Sequence, residues 1–186
     1  MIRAGLLALL FALPGPLFAC ACCAEAGERS TITHAIQHAG NLHDAMARAK
    51  DAHLFTTTCG MECVKGISLP DDQYEVSIGG EGAELTLGLQ GATGSGEITL
   101  SLPGTFTQFK VDPKPEPAPN TTLYIERRFA VGLVGSGTFT TDWPLVGELV
   151  LSGFGNHCED VSQSTHWSLD VDQIGARYRL FGAFAD

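Results

Sequence analysis

The chain has 186 residues, with 11 basic and 21 acidic side chains and a formal net charge of −10 at pH 7. Nucleic-acid binding needs a basic surface that displaces condensed counterions, and the basic doublet of this chain is Arg127-Arg128. The composition therefore excludes a nucleic-acid-binding protein. The 22 glycines and the modest charged fraction of 17% are typical of a turn-rich β protein with one core.

The first residues have the pattern of an export signal. Arg3 precedes an apolar run over residues 4–18, which ends in small residues and is interrupted by Pro14 and Pro16. A basic start, a short apolar run and a small-residue cleavage site are typical of a secretory signal peptide rather than a membrane-spanning helix. We expect residues 1–19, or 1–21, to be removed, and the protein to be periplasmic or extracellular.

The cleavage position decides the chemistry of the new N-terminus, and two positions fit. Cleavage before Cys20 would follow the lipobox-like Leu17-Phe18-Ala19-Cys20 and leave a lipid-anchored lipoprotein. Cleavage after Ala21 would follow an ordinary small-x-small site and release a soluble protein. The sequence is compatible with both cleavage positions.

Residues 20–66 are predicted to form a cysteine-rich and helical segment. Apolar side chains recur there at steps of three and four residues, which predicts one helix over 30–54, or two helices broken near Gly40-Asn41. Neighbouring imidazoles such as His34 and His38 would then share one helix face and could chelate a divalent ion, although exposed helix histidines are common.

Residues 67–186 are predicted to form an antiparallel β domain. Period-two patterns alternate with glycine-rich turns, which favours a β-barrel or β-sandwich of eight or nine strands with one buried face. A proline-rich loop over 112–119 cannot donate to a sheet ladder and is expected to connect two strands. The predicted strands cover 74–78, 84–89, 97–102, 105–111, 123–134, 138–141, 145–154, 166–171 and 176–184.

The six cysteines are the main candidates for chemistry. Their sulfur density suggests a soft metal ion, copper or zinc. The candidate metal ligands are Cys22, Cys23, Cys59, Cys63, His157 and Cys158. The alternative is structural disulfides, which persist in exported proteins, among Cys20, Cys22, Cys23, Cys59, Cys63 and Cys158.

Evidence for catalysis in the sequence is weak. Cys158 or a serine could be paired with His157, His166, Asp160 or Asp170, but no Gly-x-Ser-x-Gly motif or other local signature places a base beside a nucleophile. The sequence therefore predicts a binding protein rather than an enzyme.

Three segments resemble small uncharacterised bacterial exported proteins with a Cys-Ala-Cys-Cys segment after the signal peptide. They are residues 20–28, residues 153–158 and residues 166–170. The resemblance implies a periplasmic location and one site that combines the N-terminal cysteines with Cys158.

Two functions are therefore expected. The first is an exported protein that holds a soft metal through its clustered cysteines. The second is a disulfide-stapled barrel or sandwich that binds an apolar ligand or an envelope protein partner and uses no metal.

Overall fold

A computed structural model describes residues 29–39, 41–59, 63–65, 73–92, 94–112, 123–155, 161–173 and 176–186. For residues 56–59, 63–65, 155 and 162 it describes the backbone alone. Within these ranges, eleven strands form one antiparallel sheet. Their bounds are β1 Arg29–Ala35, β2 Asp51–Cys59, β3 Cys63–Lys65, β4 Gln73–Gly79, β5 Glu84–Gly91, β6 Ser95–Ser101, β7 Thr105–Val111, β8 Leu123–Gly135, β9 Leu145–Gly155, β10 His166–Gln173 and β11 Ala176–Ala183.

Eight of the strands close into a barrel, which confirms the predicted fold class. The order runs β8-β6-β5-β4-β2-β11-β10-β9, and β9 pairs again with β8. If paired residues are followed from strand to strand once around the barrel, the path returns to β8 about 12 residues from where it began. A register shift of this size means that the strands are strongly tilted relative to the barrel axis. An eight-stranded barrel is wide enough either to be filled by side chains or to hold one small ligand.

Side chains fill the described part of the barrel interior. Alternate residues of β5, such as Leu85 and Leu87, point inward and are 0% exposed, because successive side chains of a strand face opposite sides of the sheet. Phe129, Leu149 and Leu169 are also 0% exposed, so no water-sized void adjoins them. The interior serves as a hydrophobic core.

Short helical segments close one end of the barrel, which we call the helical end. These are a 3₁₀ turn at Ile36–Ala39 and the helix α1 at Leu42–Met46, which buries Leu42, Ala45 and Met46. The Asn41 side chain caps α1 by accepting a hydrogen bond from the Asp44 amide at 3.3 Å. The His43 Nε2 lies 3.2 Å from the Gly82 carbonyl oxygen, so α1 sits against the β4–β5 turn.

A second 3₁₀ turn, Gly137–Phe139, closes the opposite end, which we call the turn end. The Phe139 ring is 7% exposed and contacts the rings of Tyr74 and Tyr178, at centroid distances of 5.6 and 5.9 Å. Gly137 begins the turn with a φ of +61°, a conformation that favours glycine.

Beyond the helical end, β1 and β7 continue the sheet with the halves of β8 and β9 that lie outside the barrel. We call this region the extension. β7 pairs with residues 124–128 of β8, and β1 pairs with β7 along its whole length. Stacked rings connect the extension to the core of the barrel. The His34 and Phe106 ring centroids are 5.3 Å apart, and the Phe106 and Phe129 ring centroids are 5.1 Å apart.

The structure corrects two details of the sequence prediction. The helix predicted over 30–54 is limited to Leu42–Met46, because Arg29–Ala35 and Asp51–Cys59 pair as strands in the sheet. Residues 138–141 do not form a strand, since Gly137–Phe139 is a 3₁₀ turn. Of the predicted proline-rich connector over 112–119, Asp112 belongs to the described residues and the rest lies outside them.

Candidate functional site

Most of the predicted metal ligands lie outside the described residues, namely Cys22, Cys23, His157 and Cys158, as does the candidate lipidation site Cys20. Cys59 and Cys63 are described by their backbone, and they are opposite one another in the β2–β3 pair. Directly opposed residues of antiparallel strands have Cα atoms about 4.5–5.5 Å apart, which falls within the range that a disulfide spans.

The histidines of the predicted helical segment are separated in the structure. His34 belongs to β1, His38 to the first 3₁₀ turn, His43 to α1 and His53 to β2, where its ring lies 5.6 Å from that of Phe181. Within the described ranges, no group of three or more histidine, cysteine or carboxylate side chains is placed to hold a metal ion.

Four strand ends meet at the tip of the extension. The register places Arg29 opposite Val111, Val111 opposite Tyr124, and Leu123 opposite Gly155. Therefore the chain segments before residue 29, between 112 and 123, and after 155 all begin at this tip. Two of these segments carry the N-terminal cysteines and the His157-Cys158 pair.

The inner face of the extension carries a buried polar group that the sequence analysis missed. Gln108, Asp112 and Arg127 are 6%, 2% and 3% exposed, and Gln108 is directly opposite Arg127 in the β7–β8 pair. Each of these three residues, and Lys110, has a hydrogen-bonding, ionic, ring or other electrostatic contact. A buried charged side chain destabilises the fold unless hydrogen bonds or an opposite charge compensate it. These contacts therefore allow three polar side chains to be buried beside the hydrophobic core.

A signal for Arg127 was present in the sequence. It occupies an inward position of the period-two series of β8, which otherwise carries Leu123, Ile125, Phe129, Val131 and Leu133. A charged residue in such a series breaks the apolar pattern. Gln108 and Asp112 gave no comparable signal, because their burial depends on pairing between β7 and β8.

The outer face of the extension carries a hydrogen-bonded network. The Tyr124 hydroxyl donates to Glu126 at 2.5 Å, and the Arg128 Nε donates to the same carboxylate at 2.8 Å. Burial, together with the Glu126 carboxylate, raises the pKa of Tyr124, and the hydrogen bond to Glu126 raises the pKa of Arg128. Phe154 packs against Tyr124 at 5.2 Å and is 59% exposed, so an aromatic pair borders the tip.

A different surface lies at the turn end. Val134, Trp143 and Val146 are 57%, 50% and 60% exposed, and an open surface depression of about 620 Å³ is lined by Trp143, Asp172, Gln173 and Arg177. The Arg177 Nε lies 3.0 Å from an Asp172 carboxylate oxygen. This turn-end patch combines apolar side chains with an exposed ion pair, as protein-binding surfaces often do.

The chain matches no protein-family model, no curated protein and no solved structure. Among the described residues, the helices are too short and too polar to cross a membrane.

Proposed function

We propose that this is an exported bacterial binding protein that holds a soft metal ion, copper or zinc, at the tip of the extension. The barrel then serves as a scaffold. The observation that carries the proposal is the meeting of the strand ends at Arg29, Leu123 and Gly155. It brings the beginnings of the cysteine-bearing segments to one edge of the sheet.

Chain length allows the candidate ligands to meet. Cys23 precedes Arg29 by six residues, which span at most about 20 Å, and Cys158 follows Gly155 by three residues, which span about 10 Å. β1 and β9 are separated by β7 and β8, so they lie about 14 Å apart. Cys22, Cys23 and Cys158 can therefore supply three thiolates, with His157 as a nitrogen ligand, a donor set suited to Zn²⁺ or Cu⁺.

Cys59 and Cys63 belong to a separate pair in this proposal. Cys59 lies beyond Thr56, which is opposite Tyr178 near the turn end, whereas Gly155 is at the far end of β9. About ten residues of strand, or roughly 30 Å, separate the two positions. We therefore assign Cys59 and Cys63 to a cross-strand disulfide and the remaining candidate ligands to the metal site.

The test is the metal content of the mature protein, purified without oxygen and measured by mass spectrometry of the metal. We expect about one equivalent per chain, and loss of that metal in Cys158→Ser and in the double variant Cys22→Ser, Cys23→Ser. The matched control is Cys59→Ser with Cys63→Ser, which should retain the metal. A metal-free wild type with all thiols oxidised would refute the proposal.

The turn-end patch supports a second function, docking of an envelope protein partner without metal. Its three exposed apolar side chains, Val134, Trp143 and Val146, are the kind of surface that partners cover. The filled barrel interior gives no comparable support to binding of an apolar ligand. Trp143→Ala should abolish co-purification of a cross-linked envelope partner while metal content is unchanged. Co-purification that survives this change would exclude the patch as the docking surface.

Lipidation at Cys20 is compatible with both functions, because a lipid anchor would only hold the protein at the membrane. The intact mass of the protein from the envelope fraction distinguishes the alternatives. An added mass of acyl size supports the anchor, and an N-terminus at Cys22 supports release as a soluble protein.

A further inference from the structure

The outer edge of β1 is a row of backbone groups directed away from the sheet. The Ile36 amide donates to the Gly104 carbonyl at 2.9 Å, which fixes the alternation of the ladder between β1 and β7. Ser30, Ile32 and His34 therefore direct their backbone groups towards β7. Arg29, Thr31, Thr33 and Ala35 direct theirs towards the other edge, which pairs with no other described strand.

The residues of β1 itself lack the features that usually prevent pairing between sheets. Within its seven residues β1 carries one charge, at Arg29, and no proline, lysine or bulge. The Thr31-Ile32-Thr33 sequence has high β-propensity. Ile32 is 46% exposed although it lies on the inner face of the sheet. An edge of this kind is a template for another strand.

We propose that β1 pairs with β1 of a second copy of this chain, in an antiparallel arrangement about a two-fold axis at Ile32. The row of free backbone groups is symmetric about that residue. Thr31 then faces Thr33 of the second copy, Arg29 faces Ala35, and every free N–H and C=O of the row obtains a partner. Any other register leaves part of the row unpaired.

The side chains agree with the same axis. On the outer face threonines meet across the dyad, a favourable cross-strand pair, and Arg29 meets no like charge. On the inner face the two copies of Ile32 cover each other. Ser30 lies opposite His34 of the second copy, so no two like charges meet on the inner face. A foreign extended peptide would satisfy the backbone row but would not in general match this inner face.

The first test is the mass of the full mature protein in solution, by light scattering after size exclusion. A dimer with a Kd of about 1 μM is almost fully associated at about 100 μM subunit and dissociates on dilution. The amides of Thr31 and Thr33 should exchange hydrogen slowly in the dimer and rapidly after dilution. A monomer at the higher concentration, with rapidly exchanging Thr31 and Thr33 amides, overturns the proposal and leaves the edge to a foreign strand.

The second test is Thr33→Pro. Proline removes an N–H that the ladder with β7 does not use, so a single chain should keep its fold and its circular dichroism spectrum. The dimer loses two symmetry-related hydrogen bonds. Because the loss of each bond should raise the Kd about fivefold, the Kd should rise at least about 25-fold. Thr33→Ser keeps the N–H and is the matched control, with the wild-type Kd.

If Thr33→Pro does not fold, Ile32→Lys tests the same axis. The side chain is half-exposed in one chain, so a lysine is tolerated there, but the dyad brings two ammonium groups together. We expect a monomer for Ile32→Lys and a dimer for Ile32→Val. A dimer for Ile32→Lys would overturn the proposed axis. The pairing is independent of the metal site, so its test and the metal measurement can fail separately.

Discussion

Gly182 tests how tightly β11 and β2 approach one another at the helical end of the barrel. The residue lies on the inner face of β11, opposite Trp167. A Cβ at this position would clash with the backbone carbonyl oxygen of Asp51 and lie 2.9 Å from the Trp167 Nε1. The carbonyl oxygen belongs to β2 and cannot rotate away, so β2 or β11 must move to accommodate Gly182→Ala.

The magnitude follows from two opposing effects. Overpacking a core position costs about 1–3 kcal/mol. Replacing glycine by alanine lowers the entropy of the unfolded chain, which contributes about 0.4–1 kcal/mol of stability. The net loss is about 1.5 kcal/mol, which corresponds to a decrease in Tm of about 3–6 °C for a chain of this length.

The assay is thermal unfolding followed by circular dichroism, with Gly104→Ala as the matched control. A Cβ at Gly104 meets nothing within 4 Å, so this variant should be as stable as the wild type or more stable by up to about 1 kcal/mol. If Gly182→Ala unfolds at the same temperature as Gly104→Ala, the close approach of β2 and β11 at Gly182 is refuted.

Two further predictions concern aromatic side chains. Phe129→Ala should lower the free energy of unfolding by about 3–5 kcal/mol, because Phe129 is 0% exposed and stacks on Phe106. Chemical denaturation measures this loss, with Phe129→Leu as the milder control. A loss below about 1 kcal/mol for Phe129→Ala would contradict the packing of this ring. Burial raises the pKa of Tyr178 to about 12, so its absorbance change on ionisation should occur near that pH and disappear in Tyr178→Phe. Since the unfolded tyrosine ionises near pH 10, the folded state should lose stability as the pH rises from about 10 to 12, and a Tyr178→Phe variant with the same loss would show that another group causes it.

The sequence by itself determined the fold class and the positions of most strands. Alternation such as Leu85-Leu87-Leu89 predicts a strand with one buried face, and β5 has that pattern, because the period of two is a local property of extended backbone. Residues 105–111 were predicted and observed as a strand with the same bounds. Local pattern was therefore sufficient wherever one face of a strand is buried and the other solvated.

Local pattern failed where tertiary pairing overrides it. The residues of β1 have helical spacing in the sequence, but pairing with β7 makes them a strand, and β2 likewise pairs with β4 and β11. The 3₁₀ turn at Gly137–Phe139 replaces a predicted strand because the Phe139 ring packs against Tyr74 and Tyr178, which are distant in sequence.

The candidate sites depend on tertiary structure for the same reason. The sequence identifies which residues could bind a metal, since residue type decides ligand chemistry. It could not show that the beginning of β1 and the end of β9 both lie at the tip of the extension while Cys59 lies near the turn end. Nor could it show that Gln108 and Arg127 are buried together. These relations are set by strand order and register, which link residues far apart in the chain and leave no periodic trace in the sequence.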